Sequence, residues 1–192
     1  YHEWWGFEDE KLFEFAKQEL LKLSKSDKPF NLTLLTADTH FPSGYKCEDC
    51  SETYESSYAN SLDCSSKRVF EFVDWIKEQS FYENTTIVLC GDHLTMDPVF
   101  MSSVDENYCR TLYNCFINSA IEPLNQKNRE YGSFDMFPTT LAAIGAEIEG
   151  DRLALGTNLF SDRKTLTEEF GFERLDEELQ KKSEFYNKEI LR

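Results

Sequence analysis

Two short stretches of the chain carry residues that can do acid–base or metal chemistry. His40 follows the apolar stretch 30–37, and the neighbours Asp92 and His93 follow a second apolar stretch, 84–90. Both stretches are rich in Leu and β-branched residues, which is typical of buried strands. Ligands bind at the ends of strands in open α/β sheets. The sequence therefore predicts that these three residues belong to one functional site.

The residue types at these two strand ends suit a transition metal or a phosphate group. A carboxylate oxygen from Asp92 and an imidazole nitrogen from His93 suit Mn, Zn or Fe better than Ca. His40 has three functional interpretations: a third metal ligand, a general acid or base, or a hydrogen-bond donor to a phosphate. The alternatives are an Asp-His turn without a metal and a loop histidine with a single hydrogen bond.

The loop 41–64 contains three of the six cysteines, Cys47, Cys50 and Cys64. An even number of cysteines fits disulfides in an oxidising compartment. The alternative is a structural zinc site with His40 as the fourth ligand. Such sites normally show a closely spaced second pair of ligands, which this loop lacks. The sequence therefore favours a disulfide.

Composition excludes two classes of protein. With 20 basic and 36 acidic residues, the net charge is −16, and no basic stripe is present, so we expect no nucleic-acid partner. No apolar stretch approaches the ~20 residues needed to span a bilayer. Hydrophobic residues make up 40% and aromatic residues 15% of the chain, which is typical of a folded domain. Because Tyr1 opens directly into an aromatic run, we expect the chain to be part of a longer protein.

The elements that must position these residues alternate between helix and strand. This order predicts an α/β fold, with a layered, mostly parallel sheet flanked by helices. We expect residues 1–162 to form the main domain and residues 163–192 to form a helical, charged tail. The predicted elements are a helix over 8–25, a strand over 30–37, a helix from Ser65 or Ser66 to about 79, strands over 84–90 and 110–118, a helix over 133–144 and a short extended piece over 153–160.

Several motifs, in this order along the chain, resemble lipoteichoic acid synthase and related phosphoglycerol transferases, which belong to the sulfatase and alkaline phosphatase superfamily. Together they cover about residues 5–160, and 52 residues separate His40 from Asp92. The resemblance implies the C-terminal part of a sulfatase-like catalytic domain. The motifs are Trp5-Gly6-Phe7 with Asp9, the strand and His-Phe-Pro segment 34–42, the strand and Gly-Asp-His segment 86–93, the Asp-x-x-Pro-Thr helix 134–141 followed by Gly145, and the Gly-x-x-Leu segment 155–160.

The resemblance implies specific roles for the candidate residues. Asp92 and His93 are expected to bind one divalent metal, Mn, with Mg and Zn as alternatives. His40 is expected to contact the phosphoglycerol head group. The family's Thr nucleophile attacks a lipid phosphodiester, and a glycerol hydroxyl then accepts the group. Because that Thr and an acidic metal ligand lie upstream of the motifs present here, we expect this chain alone to be inactive and to bind metal weakly.

The resemblance also implies a cellular setting. We expect the extracytoplasmic domain of a membrane-anchored bacterial protein, with an anionic phospholipid or glycolipid as substrate and the upstream part of the same chain as partner. The alternatives are a sulfatase or phosphoethanolamine transferase of the same superfamily, a non-catalytic binding module, and a zinc-stabilised interaction domain. The Cys-containing loop is outside the general family pattern, and we expect it to be a disulfide-tied insert.

Overall fold

The computed structural model describes residues 1, 3–124 and 127–191, and its contacts divide the chain into two compact units. The first unit comprises Tyr1–Thr85 and His93–Leu112, and the second comprises Thr86–Asp92 and the chain from Tyr113 onwards. Within the described residues, no helix is both long enough and apolar enough to cross a membrane.

The first unit is built on two helices, α1 (Asp9–Leu23) and α2 (Ser57–Lys77). They pack through a stacked aromatic pair, Phe13 and Phe72, whose ring centroids are 4.8 Å apart. The other apolar residues of this core recur at helical spacing and exclude water from the interface. They are Ala16 and Leu20 of α1 and Val73 and Ile76 of α2. The short helix α3 (Pro98–Met101) and a 3₁₀ turn at Tyr82–Asn84 complete the unit.

Helix α2 begins earlier than the sequence predicts. We expected a start near Ser65 and an irregular loop over 41–64, but the helix begins at Ser57. The side chain of Ser56 accepts a hydrogen bond from the Ala59 backbone N–H at 3.2 Å. This bond satisfies one of the unpaired donors of the first turn, so Ser56 is the N-cap. The prediction was wrong because several serines in this region could act as the cap.

The predicted strand over 30–37 does not form a strand within the described residues. The segment forms neither a helix nor a ladder in the described part of the chain, and exposed positions such as Leu35 alternate with half-buried ones. This alternation is the period of a β-strand. No ladder among the described residues includes the segment, and an extended segment becomes a strand only when a neighbour pairs with it.

The second unit contains two small antiparallel sheets. Strand β1 (Ile87–Cys90) pairs with β2 (Asn114–Ile117), and β3 (Arg152–Leu153) pairs with β4 (Gly156–Thr157). Both ladders among the described residues are therefore antiparallel, whereas we predicted a mostly parallel sheet. The alternation of helices and strands along the chain does not determine which strands become neighbours, so the direction of pairing was not predictable.

Helices complete the second unit. A 3₁₀ turn at Ser133–Asp135 leads into α4 (Met136–Ala143), as predicted for this region. The charged C-terminal segment contains α5 (Leu166–Phe170) and α6 (Phe172–Leu179). The side chain of Glu168 on α5 accepts two hydrogen bonds from Arg129, at 2.7 and 3.0 Å. This bidentate pair lowers the pKa of Glu168 and fixes α5 to the preceding loop.

Candidate functional site

His40 lies in a tight turn that follows the segment 30–37. Its backbone N–H donates to the Ala37 carbonyl at 2.9 Å, and its Nδ1 lies 2.6 Å from the Phe41 carbonyl oxygen. A carbonyl only accepts, so Nδ1 carries the proton and the lone pair of the ring is on Nε2. The indole of Trp5 packs on the imidazole, with 4.3 Å between ring centroids. The ring is thus held on one edge and one face.

The carboxylate of Asp9 stabilises this turn through hydrogen bonds. Asp9 is the first residue of α1 and is fully buried. Its Oδ1 accepts hydrogen bonds from the backbone N–H groups of Ala37 at 2.8 Å and Asp38 at 3.3 Å. Its Oδ2 accepts one from the Ser65 hydroxyl of α2 at 2.7 Å. A single side chain therefore joins two helices to the turn that carries His40.

A second carboxylate, Asp38, is buried beside Asp9. Its Oδ1 accepts a hydrogen bond from the Asp9 backbone N–H at 3.1 Å. Burial raises the pKa of Asp38 to about 7, and the charge of Asp9 adds to the rise. The cause is the cost of placing two negative charges together away from water. Asp38 therefore gains or loses its proton near neutral pH.

The other two predicted residues, Asp92 and His93, follow β1 and are exposed. The backbone N–H of Gly91 donates to the Tyr113 carbonyl at 2.9 Å, so backbone pairing continues one residue beyond the strand. The Nδ1 of His93 lies 2.9 Å from the Leu94 carbonyl oxygen, which places the lone pair of this ring on Nε2 as well. A backbone carbonyl on the second nitrogen is the usual support of a metal-binding histidine. The chemistry of these two residues therefore fits a divalent transition metal.

Tyr58 connects the chain segments next to His40 and His93. Its hydroxyl donates to the Thr39 carbonyl at 2.8 Å and lies 2.6 Å from the Thr95 hydroxyl. Thr39 immediately precedes His40, and Thr95 is two residues beyond His93. All of these residues belong to the first unit.

A second connection joins the same two segments through Asp97. Its Oδ2 accepts a hydrogen bond from the backbone N–H of Ser43 at 3.0 Å, and its Oδ1 caps α3 through the Phe100 N–H at 2.9 Å. One buried side chain accepts both hydrogen bonds, and they lower the pKa of Asp97, with the Phe100 N–H as the largest cause.

Sequence reasoning missed Tyr58, Asp97 and the role of Asp38. Tyr58 was hidden because we predicted an irregular loop where α2 begins. A signal for Asp97 was present, since Asp followed by Pro98 is typical of a helix N-cap and first turn. No local sequence pattern predicts the Asp9–Asp38 pair, because the two residues are 29 positions apart and come into contact only in the folded chain.

The cysteine loop contains the predicted disulfide, formed by Cys50 and Cys64. The third cysteine, Cys47, is buried and is not disulfide-bonded. The zinc alternative with His40 as a ligand receives no support, because the group of metal-competent side chains found among the described residues contains the three cysteines without a histidine.

The Asp-x-x-Pro-Thr motif forms a buried cluster in the second unit. The carboxylate of Asp135 accepts backbone hydrogen bonds from Thr157 at 2.7 Å and Gly132 at 2.9 Å. The hydroxyl of Thr139 donates to the Asp135 carbonyl at 2.6 Å and accepts from the Leu159 N–H at 2.9 Å. We call Asp135, Thr139 and Thr157 the Asp135 cluster. Its hydrogen bonds fix α4 to β4, so its role is structural.

Comparison with protein families decides the relationship of this chain to known proteins. The model of the Sulfatase family matches residues 1–146, a range that contains His40, Asp92 and His93. The chain belongs to the Sulfatase family. The predicted relationship to the sulfatases is confirmed.

Curated relatives of this Sulfatase-family chain carry the name phosphoglycerol transferase I. The protein from Xanthomonas campestris pv. campestris (strain B100) is 32% identical over 146 residues, which are 73% of this chain and 21% of that protein. The protein from Citrobacter koseri is 33% identical over 99 residues, which are 48% of this chain and 13% of that protein. The resemblance to phosphoglycerol transferases is therefore confirmed, and the match spans about a fifth of the Xanthomonas protein.

A solved structure supports the fold of this Sulfatase-family chain. A protein in the alkaline phosphatase superfamily from Vibrio parahaemolyticus superposes with a TM-score of 0.61 at 24% sequence identity. The match covers 88% of this chain and 40% of that protein. The α/β, sulfatase-like character of the fold is confirmed in this coarse sense.

Proposed function

We propose that this chain is the C-terminal part of the catalytic domain of a metal-dependent transferase. The whole protein would move phosphoglycerol, or a related phosphoryl head group, from a lipid donor to a glycan or lipid acceptor. The observation that carries the proposal is the connection made by Tyr58, which binds the segment next to His40 to the segment next to His93. The names of the curated relatives support the substrate class.

In this proposal Asp92 and His93 are metal ligands. Members of the sulfatase and alkaline phosphatase superfamily generally use divalent metals, and we propose manganese here, with magnesium and zinc as alternatives. When bound, the ion would neutralise phosphoryl oxygens and activate the nucleophilic hydroxyl. The backbone carbonyl on Nδ1 of His93 leaves Nε2 as the ligating atom.

His40 would contact the head group of the lipid substrate. The Phe41 carbonyl fixes the tautomer of its imidazole, and Trp5 covers one face of the ring. A held imidazole presents Nε2 in one direction, which reduces the entropy lost when an anionic substrate binds. Tyr58 and Asp9 would act as positioning residues, since they contact the backbone next to His40 and not the ring.

The remaining parts of the machinery would come from outside the chain. We propose that a Thr nucleophile and an acidic metal ligand lie in the upstream part of the same protein. Strands from that part would pair with the segment 30–37 and build a mostly parallel sheet, while residues 163–192 form a peripheral tail. The whole protein would be membrane-anchored in a bacterium, with this domain outside the cytoplasm, and would bind an anionic phospholipid or glycolipid and no nucleic acid.

The metal ligands can be tested in the full-length protein that contains this chain. Asp92→Ala and His93→Ala should abolish release of the head group from a phosphatidylglycerol substrate, and both should lower the metal content of the purified protein. Glu106→Ala is the matched control, because Glu106 is an exposed acid in the same part of the chain. Unchanged rates and unchanged metal content in the two variants would refute the assigned roles.

The role of His40 needs a different measurement. His40→Ala should raise KM for the lipid substrate and leave the metal content of the full-length protein close to that of the wild type. The isolated chain should show no turnover, because it lacks the nucleophile. Loss of metal with an unchanged KM would instead make His40 a metal ligand.

A second activity is also tested, because the matched family is named for sulfate-ester hydrolysis. The same full-length protein can be offered an aryl sulfate and phosphatidylethanolamine beside phosphatidylglycerol. Turnover of phosphatidylglycerol alone supports the proposal. Preferred turnover of either other substrate assigns a sulfatase or a phosphoethanolamine transferase, and binding without any turnover assigns a non-catalytic module.

A further inference from the structure

Three sulfur atoms meet in the loop that follows His40. The Cys50–Cys64 disulfide ties this loop to α2, since Cys64 lies on the helix. The Sγ of Cys47 lies 3.1 Å from the Sγ of Cys50 and 3.9 Å from that of Cys64. A thiol is therefore within reach of both sulfurs of an existing disulfide.

The surroundings of Cys47 suit a sulfur nucleophile. The Nη2 of Arg68 donates to its Sγ at 3.1 Å, so a positive charge faces the atom on which thiolate charge would develop. The thiolate is the form that attacks disulfides. The same guanidinium lies 3.3 Å from a carboxylate oxygen of Glu10 on α1, which holds it in place.

The two sides of the disulfide have different environments. Cys50 and Cys64 line a cleft that is open to solvent, together with charged residues such as Asp63 and Lys67. Cys47 does not line this cleft and is buried. The chemistry of the two sides therefore differs: one is accessible to solvent, and the other holds an internal thiol.

We propose that these cysteines form a thiol–disulfide exchange site with two alternative disulfides. In the exchange, the Cys47 thiolate attacks the Sγ of Cys50 and a Cys47–Cys50 bond forms. The Cys50–Cys64 bond breaks, its electron pair stays on Cys64, and Cys64 takes up the proton that Cys47 has lost. The number of disulfides does not change, so no oxidant or reductant is consumed.

The exchange changes what the disulfide connects. In the structure it joins the loop to α2, whereas a Cys47–Cys50 bond would lie within the loop. The turn is already formed, because the Cys50 N–H donates to the Cys47 carbonyl at 3.2 Å. Exchange would thus release the segment after His40 from its covalent tie to α2. This inference does not depend on the proposed transferase function.

Peptide mapping tests the exchange directly. The wild-type chain is equilibrated in a glutathione buffer, trapped by alkylation at low pH, and cleaved with trypsin and a protease specific for Glu. Cleavage after Lys46, Glu48, Glu52, Glu55 and Lys67 places each of the three cysteines in a separate peptide. We expect two linked products, one joining peptides 49–52 and 56–67 and one joining peptides 47–48 and 49–52.

Variants that lack one cysteine test each of the two pairings separately. Cys64→Ser should form Cys47–Cys50, and Cys47→Ser should form Cys50–Cys64 only. Cys109→Ser removes an exposed free cysteine of the same unit and should leave both pairings unchanged. Circular dichroism verifies that each variant is folded. If a variant does not fold, the peptide mapping of the wild-type chain still tests the exchange.

Three outcomes would overturn the inference. The first is a wild-type chain with Cys50–Cys64 as the single pairing after equilibration. The second is a folded Cys64→Ser variant in which Cys47 and Cys50 are both fully alkylated. The third is one equivalent of zinc, found by native mass spectrometry on the wild-type chain with all three sulfurs reduced, which would assign a metal site instead.

Discussion

Two regions of the chain bury a carboxylate beside a helix start, and they differ in what surrounds the charge. In the Asp135 cluster, burial raises the pKa of Asp135, but backbone N–H groups from Thr157 and Gly132 oppose the rise. In the His40 turn, residues 37–41, the pKa of Asp38 reaches about 7 because burial is joined by the charge of Asp9. One acid is surrounded by donors and the other has an acid as its neighbour.

The difference separates a buried acid that donors compensate from one that a neighbouring acid opposes. Donors around Asp135 offset part of the cost of burying its charge and hold α4 against β4. The Asp9–Asp38 pair is electrostatically unfavourable, and acids with strongly perturbed pKa values are enriched at functional sites. Asp38 lies two residues before His40, which is one of the three residues predicted from the sequence to form the functional site.

The largest effect is expected for Asp9→Ala. The substitution removes the acceptor of three hydrogen bonds, from Ala37, Asp38 and Ser65. Leaving buried donors unpaired should lower the free energy of unfolding by about 4 kcal/mol. Chemical denaturation measures the loss, with the exposed Asp27→Ala as control. A loss no larger than that of the control would show that Asp9 does not hold the turn.

In the second unit, the strongest test is Gly156→Ala. A Cβ at this position would lie 2.1 Å from the Phe134 carbonyl oxygen and 2.9 Å from Cγ of Pro138. Because backbone would have to move, we expect a loss of about 3 kcal/mol. Gly6→Ala is the matched control, since no atom lies within 4 Å of the added Cβ. Equal stability of both variants would mean that β4 does not pack closely on this turn.

The third prediction concerns the pH dependence of stability. The folded chain holds the Asp38 proton up to about pH 7, whereas the ordinary value is 3.8. The stabilising contribution of this proton is therefore complete below about pH 4 and is lost as the pH rises toward 7. Asp38→Asn keeps the acceptor oxygen. It should reduce the slope of the free energy of unfolding against pH between these limits, by an amount that corresponds to up to about one bound proton. Asp27→Asn should leave the slope as it is, and an unchanged slope in Asp38→Asn would contradict the raised pKa.

The smallest effect is expected for Trp5→Ala. Trp5 is 62% exposed, so the free energy of unfolding should fall by only about 1 kcal/mol. The ring protons of His40 should lose the ring-current shift caused by the indole, which NMR detects. Trp4→Ala removes an indole that packs on Tyr45 instead and should leave the His40 resonances in place. Identical spectra of the two variants would rule out the Trp5–His40 contact.

Local patterns predicted helices better than strands. Helix α1 was predicted from apolar spacing and the region of α4 from its start and stop residues, because a helix makes its hydrogen bonds within its own segment. The segment 30–37 has the composition of a strand, but no partner pairs with it among the described residues. Pairing depends on a second segment, so the antiparallel ladders of the second unit were not visible in the sequence.

The sequence by itself determined the family of this chain and its candidate residues His40, Asp92 and His93, because motifs are local and survive in order along the chain. Only the tertiary structure decided what holds the turn before His40, namely Asp9, Asp38 and Tyr58. These contacts join residues 19 to 37 positions apart. Their energies depend on burial and distance, and neither quantity exists before the chain has folded.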